Sequence, residues 1–155
     1  MAHGTIRPPR GASLAGRLHR LHEAILEVIA LHRPDVASVE QVFVASSPRA
    51  ALVLGQARGA ALVALGEAGV ALREYAPAQI KQTVTGSGRA AKSQMQQMVR
   101  RLLALERAPA VDAADALAAA ICHAHVGRLD GLAPPRRARG SRLRIAVAPR
   151  SRRPT

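Results

Sequence analysis

Two short strand-like segments separated by a helix-length stretch restrict the fold of this sequence more than any other feature. The first, DVASVEQVFV at residues 35–44, predicts a strand buried on both faces, and residues 70–76 predict a second strand. Residues 48 to about 66 lie between them and predict a helix rich in small residues. The order strand–helix–strand–helix is typical of a parallel sheet covered by helices, so we predict an α/β fold.

Helical patterns fill most of the remaining chain. Residues 13–32 predict an amphipathic helix that Ser13 caps and Pro34 follows, and Pro77 is a favourable first helical residue. Two more helices are predicted at residues 92–105, with Leu102 among the inward side chains, and at residues 112–125. Residues 3–9 are a candidate third strand. Because two buried parallel strands do not make a stable sheet alone, we expect part of the sheet to be missing from this chain.

The charge of the chain indicates a polyanionic partner. Its 155 residues carry a formal net charge of +13, which favours nucleic acid, although a basic protein from a GC-rich genome would show the same surplus. We predict one domain at residues 1–127 and a disordered tail rich in proline and arginine at residues 128–155. The single Cys122 fits a reducing cytoplasm, and no membrane span is expected.

Carboxylates are scarce, and three of them stand at positions of interest. Asp112 and Asp115 are three residues apart at the start of a predicted helix, where acids commonly cap the helix and favour its dipole. Glu40 comes directly after the apolar run at residues 36–39, at the carboxyl end of a strand, where α/β sheets place their sites. Three acids that converge in a basic protein predict a site for divalent metal, and two such ions can support phosphodiester cleavage.

Four motifs resemble one family. SVEQVF, LGQARG, YAPAQIKQTVTGSGRAAKSQMQQMV and DAADALAAAICHAH occur in the order found in the RuvC Holliday-junction resolvases, and the similarity runs from about residue 4 to residue 126. DAADALA alone is a weak signal, whereas KQTVTGSGRAAKSQ with EQVF and GQARG is specific. The resemblance implies a ribonuclease-H-like mixed sheet flanked by helices. It also implies a homodimer that nicks two strands of a four-way DNA junction and works with the RuvA and RuvB branch-migration proteins.

The resemblance also implies roles for individual residues. Glu40, Asp112 and Asp115 match metal-binding catalytic carboxylates, which would hold Mg²⁺, two ions per site, with Mn²⁺ able to substitute. Phe43 matches the aromatic residue that meets DNA bases near the junction centre. Lys81 and Lys92 match DNA-contacting positions beside the site, and Lys92 could also stabilise charge on the phosphate.

The sequence departs from the family at one motif. The family's first strand carries a D-P-G motif whose aspartate is central to the metal site, and this sequence contains no D-P-G. We expect an N-terminal hairpin, including the central strand, to be missing, through either a start codon placed too late or a true truncation. Two alternatives to a nuclease therefore stay open: a junction-binding protein that does not cleave, and a generic basic nucleic-acid-binding protein.

Several other residues have ordinary explanations. Lys81 and Lys92 are the only lysines and flank a glycine-containing loop, which suits phosphate contact but also fits two solvated side chains. His123 and His125 are two residues apart on a helix and point to different faces, so favourable helix-dipole contacts explain them better than metal ligation. Gly55 and Gly59 fit either a dimer face or close internal helix packing.

Overall fold

Seven elements make up the described part of the chain. The computed structural model describes residues 2–41 and 47–130, with side chains described through residue 127. The elements are, in chain order, α1 (Leu14–His32), β1 (Val36–Glu40), α2 (Pro48–Glu67), β2 (Ala71–Tyr75), α3 (Pro77–Thr85), α4 (Lys92–Leu102) and α5 (Val111–Asp130). The predicted alternation of strands and helices is confirmed.

The two predicted strands pair in parallel. Val36 of β1 lies opposite Ala71 of β2, and the register continues to Glu40 opposite Tyr75. One further backbone hydrogen bond, from the Gln41 N–H to the Tyr75 carbonyl at 2.9 Å, extends the pairing past the end of β1. Because both strands run in the same direction, their carboxyl ends lie together at one edge of the sheet.

Local capping fixes where the first two helices begin. The Ser13 hydroxyl accepts a hydrogen bond from the Gly16 N–H at 3.2 Å, which satisfies one of the unpaired donors of α1. The Ser47 hydroxyl does the same for the Ala50 N–H at 3.1 Å, and Pro48 is the first residue of α2. Ser13 is the cap of α1, as predicted.

The hydrophobic core lies on one side of the molecule, between β2, α3, α4 and α5. Helix α5 runs through its centre and contacts both strands as well as α3 and α4. The core consists of buried apolar side chains from these four elements and the loop between α3 and α4: Tyr75, Ile80, Val84, Ala90, Met95, Val99, Leu117, Ala118, Ala119, Ile121 and Cys122. Helices α1 and α2 pack mainly on each other.

Two predictions about strands are wrong. Residues 3–9, the candidate third strand, are not a strand, and β1 pairs only with β2 among the described residues. The residues of β1 are half-buried or exposed and not buried on both faces. The physical reason is that one edge of β1 has no neighbouring strand in this part of the chain, so less apolar surface covers it.

Two helix boundaries also differ from the prediction. Helix α4 ends at Leu102, three residues early, because Ala104 adopts a left-handed conformation with φ of 49°. Leu102, predicted to face inward, is 48% exposed. Helix α5 begins at Val111 and continues to Asp130, so the predicted tail boundary at residue 128 falls within this helix. Residues 131–155 of the predicted tail lie outside the described residues.

Helix α2 bears on the expectation that the chain has no membrane span. It is the one helix in the described ranges that is long and apolar enough to cross a membrane by length and composition. One such helix is weak evidence for a membrane span. Arg58 lies near its middle and forms an ion pair with Glu74 of β2.

Candidate active site

The carboxyl edge of the sheet gathers the predicted site residues. Glu40 is the last residue of β1, and β2 ends opposite it at Tyr75, directly before α3. Helix α5 packs against both strands and brings its first turns, with Asp115, to the same edge. A crevice at the carboxyl ends of parallel strands is where open α/β sheets place their sites.

A cavity of about 260 Å³ lies at this edge. Two carboxylates, from Glu40 and Asp115, line it together with two ammonium groups, from Lys81 and Lys92. Its remaining lining is apolar and comes from α3, α4 and α5: Pro77, Ile80, Met95 and Ala118. Four of the six predicted site residues therefore meet around one cavity, on four different elements.

Burial and nearby negative charge disfavour the ionised form of both carboxylates of this cavity. Partial burial raises the pKa of Glu40, the neighbouring Asp115 raises it further, and the cations of Lys81 and Lys92 oppose the shift. Burial is also the first cause of the raised pKa of Asp115, and the charge of Asp112 adds to it while both lysines lower it. Burial therefore outweighs the two lysines, and the pKa of each carboxyl group stays above its ordinary value.

The donor chemistry of the cavity fits a hard divalent cation. Magnesium is commonly held by one or two carboxylates, with waters and substrate phosphates completing its shell. Glu40 and Asp115 supply such a pair. No three carboxylate, histidine or cysteine side chains come together as a metal-holding group anywhere in the described residues. The predicted triad is therefore present as a pair, with Asp112 close enough to influence Asp115 but not lining the cavity.

The other predicted site features have simpler places in the fold. Phe43 lies outside the described residues. The His123 Nδ1 atom is 2.7 Å from the Tyr75 hydroxyl, so this histidine ties α5 to the end of β2. The His125 Nδ1 atom is 3.0 Å from the Ile121 carbonyl. Cys122 is fully buried and packs in the core as a small apolar side chain.

A second cleft adjoins the cavity and was not predicted. It has a volume of about 410 Å³, lies between β1, α2 and α5, and shares Glu40 and Asp115 with the cavity. The Arg58 side chain borders it, and its Nη1 atom is buried without a hydrogen-bond partner among the described residues. The alanines of α2 and α5 that form the cleft walls are common in both helices, so composition alone gave no signal for it.

Comparison with known proteins decides the family. The family model for "Crossover junction endodeoxyribonuclease RuvC" matches residues 1–123 of this chain. The chain belongs to the RuvC family. A RuvC from Halorhodospira halophila is 57% identical over 125 residues, covering 81% of this chain and 75% of the relative. A RuvC from Burkholderia vietnamiensis is 49% identical over 148 residues, covering 93% and 82%.

Solved RuvC structures share the fold. Thermus thermophilus RuvC in complex with a Holliday junction substrate superposes with a TM-score of 0.75 at 38% identity, over 81% of this chain and 76% of that one. A structure of Thermus thermophilus RuvC alone gives a TM-score of 0.72 at 39% identity. The predicted ribonuclease-H-like α/β fold is confirmed by these neighbours.

Proposed function

We propose that this chain is a metal-dependent endonuclease that resolves four-way DNA junctions in recombination and repair. RuvC membership is the broadest support for this proposal, because the relatives are named crossover junction endodeoxyribonucleases. The observation that carries it is the cavity where Glu40 and Asp115 face Lys81 and Lys92. Acids beside cations at a strand edge suit hydrolysis of a phosphodiester, which needs both a metal site and phosphate contacts.

The metal of this family is proposed to be Mg²⁺, with two ions per site and Mn²⁺ able to substitute. Carboxylate oxygens prefer such hard cations. Glu40 and Asp115 would hold the metal, with Asp112 as a third carboxylate. When bound, the metal would supply an activated water and neutralise charge at the phosphate.

The two lysines would act on the substrate directly. Lys81 and Lys92 place ammonium groups at the cavity, where each would pair with oxygens of the phosphate that is cleaved. Charge on that phosphate grows as water attacks the phosphorus and the 3′ oxygen leaves. Lys92 would stabilise this charge, and Phe43 would contact bases near the junction centre.

A homodimer is proposed through α2. Leu52, Gly55, Gly59 and Val63 recur at helical spacing and therefore share one face of this helix. Leu52 is 64% exposed and Val63 is 61% exposed. An added Cβ at Gly55 or Gly59 would meet nothing within 4 Å, so neither glycine allows a close internal approach in the described structure. An apolar face with two glycines suits a second copy of the helix.

The wider setting of the protein is also proposed. We expect a cytoplasmic protein, which the buried free thiol of Cys122 supports, and we expect RuvA and RuvB as partners. Co-purification of this chain with RuvA and RuvB on junction DNA tests the partners. Fractionation of cells that express the tagged chain tests the compartment.

Cleavage of a labelled junction tests the proposed function. The 155-residue chain is incubated with Mg²⁺ and either a four-way junction or a linear duplex, and the products are separated on native and denaturing gels. We expect paired nicks in the junction only, and no nicks from the Glu40→Gln variant. Equal affinity for the two DNAs without nicking would contradict the proposal.

A second candidate function is junction binding without cleavage. The observation that favours it is the absence of a three-ligand metal group in the described residues. Its prediction is tight, junction-selective binding with no nicks in either Mg²⁺ or Mn²⁺. Metal-dependent nicking that Glu40→Gln abolishes would exclude it.

A further inference from the structure

The outer face of α4 borders two grooves that share lining residues. Both are separate from the cavity lined by Glu40 and Asp115, which we call the acid cavity. Met95 and Val99 of α4 point into the core. The opposite side carries Gln94, Gln97 and Arg101, which recur at i, i+3 and i+7 and share a face. The first groove, of about 280 Å³, is lined by Thr85, Ser87, Arg89, Ala90, Gln94, Gln97, Met98 and Arg101. The second, of about 500 Å³, is lined by Gln97, Arg100, Arg101, Ala104 and Leu105.

These grooves share Gln97 and Arg101, and together we call them the α4 groove. Its positive charge is unbalanced. Residues 76–105 contain five Lys or Arg and no Asp or Glu. The two lysines of this stretch line the acid cavity, and its three arginines, Arg89, Arg100 and Arg101, all line the α4 groove. Within the described residues, none of the three forms a salt bridge.

Helix-dipole effects explain only part of this pattern. Arg100 and Arg101 lie in the last turn of α4, where the helix dipole favours a cation. Arg100 also donates one hydrogen bond, from Nε to the Leu105 carbonyl at 3.3 Å, which leaves the rest of its guanidinium for other partners. Arg89 precedes α4 in the loop at residues 86–91, so the dipole does not account for it.

The loop that carries Arg89 is held in place by α3. The Gln82 side chain donates to the Gly86 carbonyl at 2.9 Å and accepts from the Gly88 N–H at 3.0 Å. The Thr85 hydroxyl accepts a hydrogen bond from the Ser87 N–H at 3.2 Å. These contacts fix the loop backbone beside α4, and the cation of Arg89 thereby borders the same groove as Arg101.

We propose that the α4 groove binds the phosphate backbone of a junction arm at a place separate from the acid cavity. This inference rests on the proposed function, and it adds a second DNA contact to it. Arginine, glutamine, serine and threonine are the side chains that commonly contact phosphate oxygens. The groove offers all four types and no acid.

The geometry of α4 keeps this contact apart from the cleaved phosphate. Lys92, at the acid cavity, is nine residues before Arg101, which is about 13 Å along the helix axis and about 180° around it. One phosphate therefore does not reach both sites. A four-way junction has several arms, so the α4 groove takes a different stretch of backbone from the strand that is cut.

Salt dependence of junction binding tests the α4 groove. The full chain and an Arg89→Gln/Arg101→Gln variant are titrated onto a labelled four-way junction in EDTA, between 50 and 200 mM salt. Each lost phosphate contact reduces the slope of log affinity against log salt by about 0.9, so we expect a reduction of about 2. The loss of affinity should be the same for junctions whose arms differ in sequence, because phosphate contacts do not read bases.

An Arg17→Gln/Arg107→Gln variant is the matched control. Both of its arginines are exposed and neither lines the α4 groove, while the change in net charge is the same. We expect its slope to stay close to that of the unchanged chain. An equal reduction in both variants would mean a net-charge effect alone and would overturn the proposal. Should the double variant unfold, Arg89→Gln alone is expected to reduce the slope by about 1.

Failure of the α4 groove proposal can be distinguished from failure of the proposed nuclease function. If the unchanged chain nicks the junction while the Arg89→Gln/Arg101→Gln variant keeps the full salt slope, only the α4 groove proposal is wrong. In that case an acidic protein segment would be the remaining candidate ligand of the α4 groove. If the unchanged chain does not nick but its salt slope falls by about 2 in the variant, the groove stands and the cleavage proposal fails.

Discussion

The two halves of the molecule use similar residues in different ways. Strand β2 and helices α3, α4 and α5 enclose a buried core in which Val99 and Cys122 are fully inaccessible. Helices α1 and α2 bury only Ala24, Ala64 and Leu65, although both are rich in leucine, valine and alanine. Their large apolar residues stay exposed, as Leu31 at 76% and Leu52 at 64% show.

The two halves therefore have different roles. The core half positions the candidate active site, whereas the α1–α2 layer is suited to association with a second copy of the chain. Asp115, Lys81 and Lys92 each project from a helix whose inner face is locked in the core, so their positions are well defined. The α1–α2 layer contributes none of the residues that line the acid cavity. Its exposed apolar face is suited to a partner surface, which the proposed homodimer would supply.

The largest expected effect is a loss of stability in the core half. Ile121→Ala removes a side chain of α5 that is 7% exposed, and such truncations cost about 2–5 kcal/mol. Leu52→Ala removes a side chain that is 64% exposed, and we expect a change within about 0.5 kcal/mol. Denaturant unfolding at low protein concentration measures both. Equal losses in the free energy of unfolding would contradict this difference, because Leu52 would then contribute as much to stability as a core side chain.

The second largest effect is a loss of nicking activity with no loss of stability. Asp115→Asn should reduce junction nicking by roughly 100-fold or more, the scale for loss of one group that stabilises transition-state charge. The unfolding midpoint of this variant should not fall, because Asp115 is exposed and its charge is disfavoured in the folded chain. Nicking rates under single-turnover conditions measure the loss.

Asp112→Asn sharpens this result. Asp112 affects the pKa of Asp115 but does not line the acid cavity, while the family resemblance makes it a metal ligand. We expect a loss comparable to that of Asp115→Asn, with a shift in the Mg²⁺ concentration that gives half-maximal activity. Unchanged activity would mean that Glu40 and Asp115, the two carboxylates that line the cavity, suffice to hold the metal.

The sequence predicted the fold class and the grouping of the site better than it predicted burial. Periodicity identified α1, α2, β1 and β2, because each is a local pattern with a capping or turn residue beside it. The same pattern placed Glu40 after the apolar run at residues 36–39 but did not fix the end of β1 at Glu40, because the valine-rich segment continues to residue 44. The half-burial of β1 did not, since it depends on which neighbours cover the strand.

The errors have different physical causes. Residues 3–9 include Gly4, Pro8 and Pro9, types that are depleted in strands, and they have no strand partner among the described residues. Leu102 fits the apolar stripe of α4, yet the helix ends at this residue and Ala104 turns the chain away. The first error concerns pairing with other strands, whereas the second concerns a local turn that the apolar pattern of α4 does not reveal.

The third effect tests association through α2. Val63→Arg places a cation on the apolar face that contains Gly59, so we expect it to shift a dimer towards monomer by at least one decade in protein concentration. Sedimentation of the unchanged chain and of the variant measures this shift. Arg17→Gln serves as the control, because Arg17 is an exposed residue of α1. A monomer for the unchanged chain at all concentrations would contradict the proposed homodimer.

The smallest expected effect is the pH dependence of stability that the two cavity carboxylates cause in the metal-free chain. The pKa values of Glu40 and Asp115 are raised in the folded chain, so the folded state binds more protons than the unfolded state at pH values between the ordinary and the raised pKa. Stability of the metal-free chain should therefore fall as the pH rises through that window. Because both carboxylates are exposed, we expect the change to stay within about 0.5 kcal/mol.

Glu40→Gln separates this contribution from all other titrating groups. The variant removes one of the two repelling carboxylates, so its stability in EDTA should fall less with rising pH than that of the unchanged chain. Added Mg²⁺ should raise the unfolding midpoint of the unchanged chain at neutral pH, where the carboxylates are ionised, and have less effect at low pH. The same Mg²⁺ response in the variant would show that the metal binds elsewhere, and would break the assignment of Glu40 to the metal site.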